Sequence, residues 1–105
     1  MRDSELEKRT KRLAIEVIKL VEQLPKNQVA RVLGNQLLRA GTSVGANYRA
    51  ACRAKSRADF LSKMGNVEEE ADEARYWLES CLLKRNRWPN IRSSAFKQKV
   101  TQFLP

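Results

Sequence analysis

Phe60-Leu61-Ser62-Lys63-Met64-Gly65-Asn66-Val67-Glu68-Glu69-Glu70-Ala71-Asp72-Glu73-Ala74-Arg75-Tyr76-Trp77-Leu78-Glu79-Ser80-Cys81 carries the clearest periodic signal in the chain. Its apolar positions Phe60, Met64, Val67, Ala71, Ala74, Leu78 and Cys81 alternate by four and three residues without a miss. That spacing keeps one seam on a single helix face and belongs to left-handed bundle packing. Ser56, with Asp59 three residues later, gives a start resembling a capping box, Asp standing in for the usual Glu. The predicted helix covers about 57–84.

Two further helices precede it. Leu6, Leu13, Val17, Leu20, Val21 and Leu24 fall on one face, with Asp3 or Ser4 as N-cap and Pro25 as the stop, predicting a helix over about 4–24. Between Asn27 and Lys55 the residues Gly34, Gly41, Thr42, Ser43 and Gly45 all lower helix propensity. Yet Leu33, Leu37, Ala40, Val44, Asn47 and Ala51 keep the four-three spacing across them, and a break would throw these positions out of register. One long helix over about 27–55 is therefore expected. Gly34, Gly41, Gly45 and Cys52 form a second stripe, where small residues let another helix approach closely. After Pro89 the chain has room for about three helical turns, over about 92–103, with Ile91, Ala95, Phe96, Val100, Phe103 and Leu104 as inward candidates. The periodicity is helical throughout, so the fold class is all-α.

Charge is segregated along the chain. Every charged residue from Pro25 to Arg57 is basic: Lys26, Arg31, Arg39, Arg49, Arg53, Lys55 and Arg57. From Ala58 to Leu83 the sign inverts, with Asp59, Glu68, Glu69, Glu70, Asp72, Glu73 and Glu79 against Lys63 and Arg75. Lys84, Arg85, Arg87, Arg92, Lys97 and Lys99 then follow without an acid, and the formal net charge is +9. Oppositely charged blocks pair when the chain folds back on itself, but the bases outnumber the acids and a basic surface must remain. At 105 residues the chain makes one domain, near the size where oligomerisation often supplements a small core. No apolar run approaches the roughly 20 residues of a membrane span, and Arg2, Asp3, Ser4 and Glu5 do not read as a signal core. A cytoplasmic location without membrane attachment is expected. Cys52 and Cys81 read as small buried thiols of a reducing compartment, too widely spaced for a local metal clip.

Catalysis finds no support in the residues. The chain has no His, which removes imidazole as base, nucleophile partner or metal ligand. The acids from Glu68 to Glu73 lack the His at i+3 that di-iron helix sites use, and read as a solvated face pairing with the basic second helix. Ser94 and Lys97 match a Ser-x-x-Lys spacing without its companion motifs. Gly41 and Gly45 follow helix and lack the Lys of a phosphate loop. Ser43 is expected to bond back to a carbonyl one turn earlier. Asn47 is expected to bond a neighbouring helix and set register. No metal, cofactor or catalytic residue is expected.

The run Gln36-Leu37-Leu38-Arg39-Ala40-Gly41-Thr42-Ser43-Val44-Gly45-Ala46-Asn47, with Arg53-Ala54-Lys55-Ser56, Phe60-Leu61 and Glu69-Glu70-Ala71-Asp72-Glu73, resembles bacterial proteins encoded in 23S ribosomal RNA intervening sequences. The likeness covers roughly Leu13 to Leu83. It implies an antiparallel, up-and-down four-helix bundle, commonly a ring-shaped homopentamer without known enzymatic activity. It also implies kinship with the accessory variability determinant of diversity-generating retroelements, a basic bundle that works with a reverse transcriptase and its RNA. Two departures stand out: Ala50 occupies a position where the family usually has Glu, and the fourth helix is short and atypical.

Two functions compete. As a nucleic-acid binder, the protein would use Arg49, Arg53 and Arg57, spaced at i+4 along one ridge of the second helix. Arg39 and Lys55 join them from the same block, and Lys84, Arg85 and Arg87 from the turn after the third helix. Tyr48, Tyr76, Trp77 and Trp88 are few and not interleaved with the bases, so contact should be with the phosphate backbone and weakly sequence-specific. RNA stands ahead of DNA. As a scaffold, the small-residue stripe and the short fourth helix would serve a protein partner or self-assembly, for example as an accessory subunit to a reverse transcriptase. Both are compatible with a ring that concentrates charge by multivalency.

Overall fold

The computed structural model describes residues 3–83, which form α1 (Ser4–Glu22), α2 (Gln28–Cys52) and α3 (Arg57–Leu83). The expected fourth helix, 92–103, lies outside the described residues. Asp3 caps α1: its carboxylate accepts hydrogen bonds from the Glu5 N–H at 2.9 Å and the Leu6 N–H at 3.1 Å. A cap of this kind contributes about 1 kcal/mol. α1 stops two residues short of the expected Leu24. Gln23 and Leu24 donate instead to the Leu20 and Val21 carbonyls, tightening the last turn ahead of Pro25. Asn27 caps α2 by accepting from the Ala30 N–H at 2.9 Å.

α2 runs unbroken through Gly34, Gly41 and Gly45, as its apolar register predicts. It ends at Cys52, three residues before the expected Lys55, because Lys55 and Ser56 are needed to start α3. Ser56 Oγ accepts from the Asp59 N–H at 3.0 Å, and the Asp59 carboxylate accepts from the Lys55 N–H at 3.2 Å. The closing bond reaches Lys55 instead of the Ser56 N–H that a capping box would engage. Lys63 Nζ also donates to Asp59, at 2.6 Å. That ammonium, then the Lys55 amide, hold the Asp59 carboxyl below the usual carboxylate range.

α2 is the middle helix, packing against α1 on one side and α3 on the other, while α1 and α3 scarcely touch. Short connectors make neighbours antiparallel, and the glycine stripe sets the α1–α2 spacing. Gly34 faces Val21 and Leu24, Gly41 faces Val17, and Gly45 faces Thr10. Leu13, Leu20, Leu37 and Leu78 are fully buried, each contributing about 1.5–3 kcal/mol by leaving water. On α3 the predicted seam is buried from Val67 through Ala71, Ala74 and Leu78 to Cys81, whereas Phe60 and Met64 are half-buried. Burial pushes the Cys81 thiol up to about 11. Ile15, Ile18, Val29, Val32, Leu61 and Tyr76 remain exposed.

One core position differs from expectation. After Val44 the four-three pattern allows 47 or 48, and the predicted stripe takes Asn47. The structure buries Tyr48, with 2 % exposed, and leaves Asn47 half-buried. The reason lies in a long-range bond: the Tyr48 hydroxyl accepts from the Asp3 N–H at 2.7 Å and lies 3.3 Å from the Asp3 carbonyl, to which it donates. With its hydroxyl satisfied, the ring can enter the core.

Candidate nucleic-acid interface

Four of the predicted bases gather where α2 turns into α3. Arg49 lies in the last turn of α2, Arg53 is its C-cap residue, Lys55 lies in the connector, and Arg57 opens α3. All four are exposed. Arg57 therefore does not extend an i+4 ridge along α2, as the sequence spacing implied. The helix stops first, so the four bases are spread over the last turn of α2, the connector and the first residue of α3. Among the described residues none of these four side chains enters an ion pair.

Helix stability accounts for part of this placement and not the rest. A cation in the last turn of α2 is favoured by the helix dipole, as is Asp59 in the first turn of α3. Arg57 sits at the positive end of α3, where a cation is disfavoured by a few tenths to about 1 kcal/mol. Its charge is thus not explained by the needs of its own helix.

Arg39 behaves differently. Its guanidinium reaches Glu70 at 3.4 Å and pairs with Glu73, and Trp77 Nε1 donates to Glu73 at 3.3 Å. This is the predicted pairing of the acidic third helix with the basic second one, here carried by two acids. A pair this exposed is worth about 0–1 kcal/mol, but it neutralises Arg39 within the bundle. Ser43 Oγ donates to the Arg39 carbonyl at 2.7 Å, the one-turn back-bond expected of it. Asn47 lies on a cleft between α2 and α3 with Asn66, Glu69, Glu70 and Glu73, so its surroundings are acidic side chains instead of an apolar seam. Lys84, Arg85 and Arg87 lie outside the described residues.

Tyr48 is the positioning residue that the sequence pattern missed. Its hydroxyl ties the start of α1 to α2 one residue before Arg49, and burial raises its pKa. The apolar register took Asn47 in its place, and the bond that internalises Tyr48 spans 45 residues. No cluster of metal-binding side chains occurs among the described residues, and no described helix is long and apolar enough to cross a membrane.

No curated protein matches the chain. Among solved structures, it is similar to a protein of unknown function from the S23 ribosomal protein family of Bacteroides thetaiotaomicron VPI-5482. The two share 34% identity over 93% of this chain and 86% of the other, with a TM-score of 0.77. The family model for the 23S rRNA-intervening sequence protein matches residues 2–103, nearly the whole length, and the chain belongs to that family.

Proposed function

We propose that this chain is a non-enzymatic, cytoplasmic, basic four-helix-bundle protein that associates as a homo-oligomer with nucleic acid, RNA ahead of DNA, through the phosphate backbone. The supporting observation is the group of exposed bases Arg49, Arg53, Lys55 and Arg57, none ion-paired among the described residues, at the end of the bundle away from the Arg39–Glu70–Glu73 contact. Exposed cations of this kind suit the charge of a phosphate backbone, which binds without reading bases. Lys84, Arg85 and Arg87 would extend this surface. The family's name, which refers to an intervening sequence of a ribosomal RNA, is the support for RNA over DNA. A fourth helix over 92–103 would complete the antiparallel bundle, and a pentameric ring would multiply the charge of one subunit.

A second reading has its own observation. Ile15, Ile18, Val29 and Val32 are exposed apolar side chains on α1 and α2, a surface suited to other helices. On that reading the chain is a scaffold, in self-assembly or as an accessory subunit to a reverse transcriptase, the role that a relation to accessory variability determinants would imply. Titrating labelled single-stranded RNA and DNA of equal length with the wild-type protein at low and physiological salt separates the two. Binding at low salt that weakens steeply with salt is expected. Absence of binding at low salt would transfer the role to the scaffold.

A further inference from the structure

α2 has two flanks of opposite electrostatic character. On the α3 side its cleft is lined by Asn47, Asn66, Glu69, Glu70 and Glu73, with no base on that lining. On the α1 side a groove carries Lys11 from α1 and Arg49 from α2, over a lining of small residues that includes Ala14, Gly45 and Ala46. Glu7 is the one acid on this second lining. Lys8, exposed one turn before Lys11, adds a further cation beside the groove.

We infer that the α1–α2 groove is the phosphate-binding cleft of the basic end, with Lys8 and Lys11 gripping the nucleic-acid backbone from the wall opposite Arg49. This rests on the nucleic-acid reading above and adds α1 to a surface otherwise assigned to α2 and α3. Neither Lys8 nor Lys11 enters an ion pair among the described residues, so both charges are available. The small side chains of the lining bring α1 and α2 together, Gly45 facing Thr10, so a sugar–phosphate chain would lie over the groove with Lys11 on one rim and Arg49 on the other. Hydroxyls there do not compete as donors: Thr10 donates to the Glu7 carbonyl at 2.9 Å and Thr42 to the Leu38 carbonyl at 2.7 Å. Recognition therefore falls to the Lys and Arg side chains. The acidic α2–α3 cleft repels phosphate, which directs the backbone toward α1 and away from Arg39.

The test compares the full-length protein with K8Q/K11Q and with a charge-matched control, K19Q/K26Q, in which both replaced lysines are exposed near the opposite end of α1. Circular dichroism and melting establish that all three fold alike. Binding of a single-stranded RNA oligonucleotide is followed by anisotropy at several salt concentrations. K8Q/K11Q should flatten the slope of log affinity against log salt by about 1.4, two contacts at about 0.7 each for a single strand. The control should keep the wild-type slope. Equal flattening in both variants, or an unchanged slope in K8Q/K11Q while the wild type binds, overturns the groove and leaves the nucleic-acid reading standing. A wild type that does not bind at low salt overturns both.

Discussion

Replacing Gly41 by Ala sets helix propensity against interhelical distance, and the structure assigns the winner. A Cβ built at Gly41 would lie 2.8, 3.0 and 3.1 Å from three side-chain carbons of Val17. Val17 is 1 % exposed and, being β-branched, has little χ1 freedom with which to retreat. Overpacking of this kind costs about 1–3 kcal/mol, against a gain of about 1 kcal/mol for Ala over Gly in a helix interior. Gly65 provides the control, since a Cβ there meets nothing within 4 Å. G65A should therefore stabilise by about 1 kcal/mol and G41A destabilise by about 1 kcal/mol, from the same propensity term. At about 4–8 °C per kcal/mol the two melting temperatures should separate by roughly 8–16 °C, measured by circular dichroism at one protomer concentration. Adding V17A to G41A should show a favourable coupling of about 0.5–3 kcal/mol, because the new methyl then fills space that the valine vacates. A G41A protein that melts as high as G65A would refute the idea that the glycine stripe sets the α1–α2 distance.

Three further outcomes follow from the same packing. L78A should cost about 2–5 kcal/mol and M64A clearly less, because Leu78 is fully buried and Met64 half-buried; equal losses in chemical denaturation would place the α3 seam wrongly. D59N should lower the melting temperature at neutral pH. The folded pKa of Asp59 is depressed, so its contribution is present above the unfolded value of about 3.9 and disappears as pH falls through the folded one. The gap between D59N and wild type should close over that acid range, and a gap independent of pH would contradict the Lys63 and Lys55 contacts. Light scattering at micromolar concentration should show a species larger than a monomer, and a fully helical monomer would remove the oligomer from the proposal.

Much of the fold is legible because the signals are local. The three apolar registers, the Asp3 and Ser56 caps and the unbroken passage of α2 through its glycines all follow from spacing within one helix. What escaped depends on contacts between distant residues. Tyr48 replaces Asn47 in the core because Asp3 supplies its partner, and nothing near residue 48 encodes that. The end of α2 escaped for a related reason: Lys55 could continue one helix or help cap the next, and the Asp59 carboxylate decides it. For the site, a block of bases along the chain predicts a basic surface but not its division. Folding sends Arg39 to the acids of α3 and places Lys11 of α1, a helix of nearly balanced charge, in the groove that Arg49 lines.

The central claim is that exposed, unneutralised bases around the α2–α3 turn bind the phosphate backbone. The most direct measurement is the salt dependence of RNA affinity for wild type and for R49A/R53A/R57A, with helicity and melting confirming that the variant folds. The account predicts that the triple replacement flattens the slope by up to about three contacts' worth, roughly 2 for a single strand, and weakens binding to unrelated sequences alike. An unchanged slope in the folded variant would contradict it and assign these bases to a protein contact.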